Sequence, residues 1–125
     1  MPLMAFTKRE LGQIEETVGA LCHRRTSPPF KNELSLEYRV QRHDVTLVER
    51  RPHWKGKPGF TERGLAKFKF TRATEQWRLL WMRADLKWHA YRVEGNKTRL
   101  AQLVAEVDRD PWGCFFGWVS SRGHR

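Results

Sequence analysis

Four side chains of this sequence are of the types that act on phosphate esters: Glu49, Asp85, Lys87 and His89. Asp85 and Lys87 stand two residues apart at the start of a predicted strand, and Glu49 lies on an earlier one. Metal-dependent nucleases use such a set, because carboxylates hold Mg²⁺ and a lysine stabilises the attacked phosphate. The structural alternative is that Asp85 caps a turn or pairs with a neighbouring cation. These four residues are therefore candidates, and no catalytic residue is assigned.

His89 has a second interpretation, as the base of a nucleophilic set with Cys114 and Asp85. Nothing in the sequence brings Cys114 close to His89, and its glycine and aromatic neighbours indicate packing. His53 and His89 lack the tight spacing of metal ligands, and the sequence contains no glycine-rich phosphate loop. We predict no metal and no cofactor, and the sequence favours a protein that is not an enzyme.

The basic charge is concentrated in the middle of the chain. The 125 residues include 24 Lys and Arg against 14 Asp and Glu, a net charge of +10. Residues 37–99 hold sixteen of the basic and seven of the acidic residues, a net of +9. A concentrated positive field attracts polyanions such as nucleic acid. The alternative is that the charge only keeps a small protein soluble.

Length and composition predict one domain over residues 1–125, with flexible ends at 1–6 and 119–125. No apolar run is long enough to span a bilayer, and the start of the chain does not resemble a signal peptide. We therefore expect a cytoplasmic protein without membrane contact. Its two cysteines, Cys22 and Cys114, are expected to be reduced.

The hydrophobic pattern predicts an α+β domain. A capping box of Thr7 and Glu10 starts an N-terminal helix, and Pro28 and Pro29 follow its end. Period-2 alternation predicts about five strands, over 34–40, 45–51, 66–71, 77–82 and 86–93, with a loop at 53–63. A second helix, capped by Asn96 or Thr98, follows and ends before Pro111. The prediction is an antiparallel meander sheet with the N-terminal and C-terminal helices on one face.

Alternation also assigns side chains to the two faces of this sheet. The face toward the helices is predicted to carry Leu36, Tyr38, Val45, Leu47, Phe68, Phe70, Trp77, Leu79, Trp81, Leu86 and Trp88. The outer face is predicted to carry the nucleic-acid-binding residues Arg39, Arg50, Lys67, Lys69, Arg78, Lys87, His89 and Tyr91, with Glu37 and Thr46. Cations there would follow a phosphate backbone while Tyr91 stacks on bases. A register slip of one residue would exchange the faces.

Three segments carry a resemblance to a known family. They are VTLVERRPHW at 45–54, WRLLWMRADLKWHAY at 77–91 and DRDPWGCFFG at 108–117. With them the chain, from Phe6 to Gly117, resembles a small bacterial family catalogued as domain of unknown function 3024. The resemblance implies a compact bacterial protein, and it brings no catalytic residue with it.

Three functions follow from these observations, in order of preference. The first is non-enzymatic binding of RNA or another single strand on the basic face, since no recognition helix is evident. The second is a protein-interaction or homodimerisation module that uses Leu80, Met82 and the aromatic C-terminal segment. The third is a metal-dependent nuclease around Glu49, Asp85 and Lys87.

Overall fold

The computed structural model describes residues 6–26, 34–52 and 59–116. Its elements are α1 (Lys8–Ile14), a π-helical turn (Glu15–Gly19), α2 (Ala20–Arg25), β1 (Ser35–Gln41), β2 (Asp44–Pro52), β3 (Phe60–Thr71), β4 (Gln76–Met82), β5 (Trp88–Ala90) and α3 (Leu100–Arg109). The five strands form one antiparallel sheet in chain order. No helix in these ranges is long and apolar enough to cross a membrane. The predicted flexible ends lie outside the described residues, except Phe6, which is buried.

The N-terminal helical segment begins at the predicted capping box. The Thr7 hydroxyl accepts from the Glu10 backbone N–H at 3.1 Å, and the Glu10 carboxylate accepts from the Thr7 N–H at 2.9 Å. These bonds satisfy two donors that a helix start leaves unpaired. The segment ends at Arg25, where Thr26 turns to extended backbone. The predicted proline connector lies outside the described residues.

Both helical segments pack on one side of the sheet, as predicted. Ile14, Val18 and Leu21 meet Leu103 and Val107 of α3 in a single core. The sheet contributes Leu36, Val45, Leu47, Ala66, Phe68, Phe70 and Leu79 to that core. We call this the helix side of the sheet. Burial of these apolar side chains is the main stabilising contribution to the fold.

The third strand begins earlier than predicted. Residues 60–63, assigned to a loop from the sequence, pair with β2 from Pro52↔Phe60 to Glu49↔Arg63. Ionic contacts across these pairs stabilise a stretch that has little apolar alternation. A bulge follows, because Val48 pairs with Gly64 and Leu47 with Ala66, which leaves Leu65 without a partner. The remainder of the predicted loop, residues 53–58, lies outside the described ranges.

The fifth strand is shorter than predicted and begins in the opposite register. Only Trp88–Ala90 pairs with β4, and Leu86 occupies the turn with a φ of +64°. Its N–H donates to the Arg83 carbonyl at 2.8 Å. The turn therefore includes a residue that the sequence assigned to the strand. Leu86 and Trp88 were wrongly placed on the helix side, since Leu86 is exposed and Trp88 pairs with Met82.

α3 begins and ends at positions set by specific backbone contacts. Its N-cap is Arg99 and neither Asn96 nor Thr98, because the Thr98 carbonyl accepts from the Trp77 N–H at 2.8 Å. At the other end Asp110 adopts the left-handed conformation with a φ of +45°. Its buried carboxylate accepts from the N–H groups of Phe115 and Phe116 at 3.1 and 2.8 Å. This clip directs both phenylalanines into the core.

The pairing of Glu10 with Arg72 is expected to make stability depend on pH. Hydrogen bonds from Arg72 lower the pKa of Glu10 to about 2. A depressed carboxyl pKa contributes stability that is present above the unfolded value and lost as pH falls from about 4.5 to about 2. Glu10→Gln keeps the helix cap but removes the charge, so it should cost about 1 kcal/mol at pH 7. Urea unfolding of both proteins should show this difference vanishing near pH 2; a constant difference would contradict the assignment.

The Asp110 clip is expected to be the costliest polar interaction to remove. Asp110→Ala leaves two buried N–H groups unpaired, each worth about 1–3 kcal/mol, and places alanine at a left-handed position. We expect about 2–5 kcal/mol of lost unfolding free energy in urea denaturation. Asp110→Asn is the control, since it keeps one acceptor oxygen and tolerates the backbone conformation. Equal losses in the two variants would refute the clip.

Candidate nucleic-acid interface

The outer face is the side of the sheet away from the helices. By register it carries Glu37, Arg39, Thr46, Val48, Arg50, Glu62, Lys67, Lys69, Arg78, Leu80, Met82 and Trp88. Five of the eight predicted nucleic-acid-binding residues therefore share this face. Lys87 is exposed in the turn before β5, and the other two lie elsewhere.

Arg39 and Arg50 are already paired with carboxylates. Arg39 forms a bidentate contact with Glu62 at 3.0 and 2.8 Å. Arg50 contacts Glu37 at 2.8 Å and Glu62 at 3.2 Å. The hydrogen bonds from Arg39 lower the pKa of the Glu62 carboxyl, so that this carboxylate stays ionised in the neutral range. Two positive and two negative charges cancel here, which leaves little attraction for a polyanion.

The other cations of the outer face are more available. Lys69 lies 3.7 Å from Asp44, a distance typical of a loose, solvent-screened pair. Arg78 has no carboxylate within 4.0 Å among the residues that the structure describes. Arg78 of β4 pairs directly with Lys69 of β3, and Lys67 lies two residues before Lys69 on β3. Lys67, Lys69 and Arg78 therefore form a compact group, which we call the basic triplet.

An aromatic ring missed by the sequence prediction lies beside the basic triplet. Trp88 is on the outer face, and the Lys67 ammonium is 5.0 Å from its ring centroid. The ring also covers Gly64, where an added Cβ would stand 2.9 Å from Trp88 Cζ2. A glycine thus allows the indole to lie against the sheet. The sequence alternation does place Trp88 and His89 on opposite faces of the sheet. Which of the two faces Trp88 occupies depends on the length of the preceding turn.

His89 and Tyr91 were wrongly predicted on the outer face. His89 pairs with Trp81, whose neighbour in the next strand is the buried Ala66, so it points to the helix side. Tyr91 is buried and its hydroxyl donates to Glu106 of α3 at 2.8 Å. The extra turn residue described above is the reason, because it moves every later side chain to the other face. Tyr91 is therefore unavailable for base stacking.

Asp85 and Lys87 lie together in the β4–β5 turn. The Asp85 carboxylate accepts from the Lys87 backbone N–H at 3.0 Å and contacts His89 Nε2 at 2.9 Å. The hydrogen bond with His89 lowers the pKa of Asp85. This is the turn-capping role that the sequence offered as the structural alternative. It occupies the Asp85 carboxylate.

Glu49 is not assembled with Asp85. Its buried carboxylate contacts Arg51 at 3.0 Å and Arg63 at 3.1 Å. Glu49 lies on β2 and Asp85 follows β4. Because β3 lies between these two strands, the backbones of β2 and β4 are about 10 Å apart. Within the described ranges no group of three or more His, Cys, Asp or Glu side chains could hold a metal ion. The structure thus does not bring Glu49 together with Asp85, and the nuclease stays a prediction.

Cys114 also lacks the lowered thiol pKa of an activated catalytic nucleophile. Burial raises the pKa of its thiol, Asp110 adds to the effect, and Arg83 opposes it. A raised pKa reduces the thiolate that would attack a substrate. Cys22 is buried, and its pKa is raised to about 11, mainly by burial. Both cysteines are free.

Comparison with family profiles gives a match over most of the chain. The profile of a family described as Domain of unknown function (DUF3024) matches residues 6–117, which include every helix and strand described above. The chain belongs to this family. The resemblance noted in the sequence is thus confirmed. No curated protein and no solved structure matches the chain.

The close approach of Gly64 to Trp88 can be tested directly. In Gly64→Ala the new Cβ would overlap the indole, so either the ring moves or the sheet is strained. We expect about 1–3 kcal/mol of lost stability in urea denaturation. Gly12→Ala is the matched control, since nothing lies within 4 Å of that Cβ and alanine favours a helix. Equal effects at the two glycines would contradict the packing described.

Proposed function

We propose that this protein binds single-stranded nucleic acid, RNA or unpaired DNA, on its outer face and catalyses no reaction on it. The observation that carries the proposal is the position of Trp88 beside the basic triplet. Every base offers a flat surface to an indole, and base–aromatic stacking contributes about 1–3 kcal/mol per base. Stacking on Trp88 would leave the adjoining phosphates near Lys67, Lys69 and Arg78.

A single strand fits this surface better than a duplex. The helices that could enter a groove pack on the opposite side of the sheet from Trp88 and the triplet. An antiparallel sheet presents its side chains at regular intervals, and an extended single strand of nucleic acid can follow them. Stacking also requires unpaired bases.

Substitutions at Trp88 should separate stacking from charge. We expect Trp88→Ala to weaken binding of a fluorescein-labelled single-stranded oligonucleotide by about five- to a hundredfold, measured by anisotropy. Trp88→Phe keeps a ring and should retain most of the affinity. Lys67→Gln with Arg78→Gln should reduce the slope of log affinity against log salt by about one to two. Lys8→Gln is the charge control, because it lies on the exposed surface of α1.

Three outcomes would overturn the proposal. They are no binding at low salt, a flat salt dependence, and an equal loss on substitution of Lys8 and of the triplet. Duplex binding as tight as single-strand binding would remove the stacking role of Trp88.

A homodimer is the second candidate function, because the half-buried Leu80 and Met82 adjoin Trp88 as an apolar patch on the same face, whereas Val48 of that face is already buried. Burial of that patch against a second copy would cover the proposed interface. Light scattering distinguishes the two functions. A dimer that Leu80→Asp dissociates, and that binds no oligonucleotide, would establish the second and exclude the first.

A further inference from the structure

A separate cleft opens on the helix side, between the segment after β5 and the C-terminal turn. It has a volume of about 970 Å³, which lies within the size range of small-molecule sites. Its walls include Trp81, Arg83, Arg92, Glu106, Arg109 and Trp112. These residues come from β4, from the segments on either side of β5, from α3 and from the turn after it. None of them belongs to the proposed outer-face interface.

The lining of the cleft has three arginines (Arg83, Arg92 and Arg109) and two glutamates (Glu94 and Glu106), so its net charge is 3 − 2 = +1. Glu106, the buried carboxylate of its wall, is already satisfied by the Tyr91 hydroxyl at 2.8 Å and by Arg109 at 2.7 Å. In contrast, neither Arg83 nor Arg92 has a carboxylate within 4.0 Å in the described part of the chain. Two guanidinium groups from different segments are thus free to bind an anion, and guanidinium pairs well with phosphate.

Flat rings accompany these cations. Trp112 is 69% exposed, although the turn that carries it is fixed by the Asp110 clip. Trp81 lines the same cleft, and the Arg83 guanidinium lies 5.5 Å from its ring centroid. The exposed indole of Trp112 is therefore accessible to a ligand that enters the cleft. Rings and free guanidiniums together indicate a ligand with a planar ring and an anionic group.

We infer that this cleft binds one nucleoside phosphate, with its base against the indoles and its phosphate at Arg83 and Arg92. The inference does not depend on the outer face, because the two sites lie on opposite sides of the sheet. The same chemistry occurs in a free mononucleotide and at the 5′ end of a nucleic-acid strand. The experiment therefore includes both sources.

Isothermal titration of the full chain with adenosine 5′-monophosphate tests the inference. We expect a dissociation constant on the order of 10–100 µM, a range reached by ligands of this size. Adenosine alone and inorganic phosphate alone should each bind at least about tenfold more weakly, since each makes half of the contacts. Arg92→Gln should remove the preference for the monophosphate over adenosine. Trp112→Ala should weaken both by about tenfold.

Two controls locate the site. Phe60→Ala removes another exposed ring, far from the cleft lining, and should leave the affinity unchanged. Cys114 lines the cleft whereas Cys22 is buried in the core, so saturating monophosphate should slow the alkylation of Cys114 selectively. Mass spectrometry gives the rate at each cysteine.

The results separate this inference from the proposed function. Absence of monophosphate binding, or equal binding of monophosphate and inorganic phosphate, overturns the inference that the cleft binds a nucleoside phosphate. This holds even if single strands still bind through Trp88. Unchanged alkylation of Cys114 has the same consequence. A 5′-phosphorylated oligonucleotide that protects Cys114, where the free monophosphate also does so, identifies the strand end as a source. Protection by the free monophosphate alone identifies the mononucleotide.

Discussion

The course of the chain after α3 is set by one buried carboxylate. Asp110 leaves the helix in a left-handed conformation and accepts two backbone hydrogen bonds from Phe115 and Phe116. This brings Phe116 under the Arg25 guanidinium, which lies 3.9 Å from the ring centroid and also donates to the carboxylate and the backbone carbonyl of Asp108. The two ends of the domain are thereby joined, and the wall of the cleft is built from the same turn. The core of the sheet alone would specify none of these positions.

The net charge of the protein is a poor guide to where an anion would bind. A carboxylate within hydrogen-bond distance removes most of the long-range field of a cation, because the pair is seen from outside as a dipole. Arg39 and Arg50 on the sheet, and Arg51 and Arg63 beside Glu49, are of this kind. Two groups of cations without a close carboxylate are distinguished by a neighbouring ring: the basic triplet and the arginines of the cleft. Each of these places also contains an indole.

Much of the fold could be predicted from local patterns. The Thr7 capping box, the alternation through Phe68, Phe70 and Leu79, and the apolar stripe of α3 each report on near neighbours in the chain, and each is confirmed. The errors in assigning the sheet faces arose where one additional residue in a turn changes the register of the strand that follows. The left-handed Leu86 lengthens a turn. As a result Trp88 lies on the outer face and not on the helix side, and Tyr91 is buried and not on the outer face. The ion pairs of Glu49 and Glu62 join different strands, so sequence spacing alone could not reveal which cations were neutralised.

The meander order of the sheet has a consequence for how the domain folds. Every strand pairs with its neighbour in the chain, so each hairpin closes a short loop and the sheet can grow by local steps. The contacts of Arg24 and Arg25 with Asp108 instead join residues 84 and 83 positions apart. The entropy cost of closing that loop is offset by these contacts only after the sheet has brought both helices together. We therefore expect the helical layer, with the cleft at its margin, to assemble last and to open first in local unfolding.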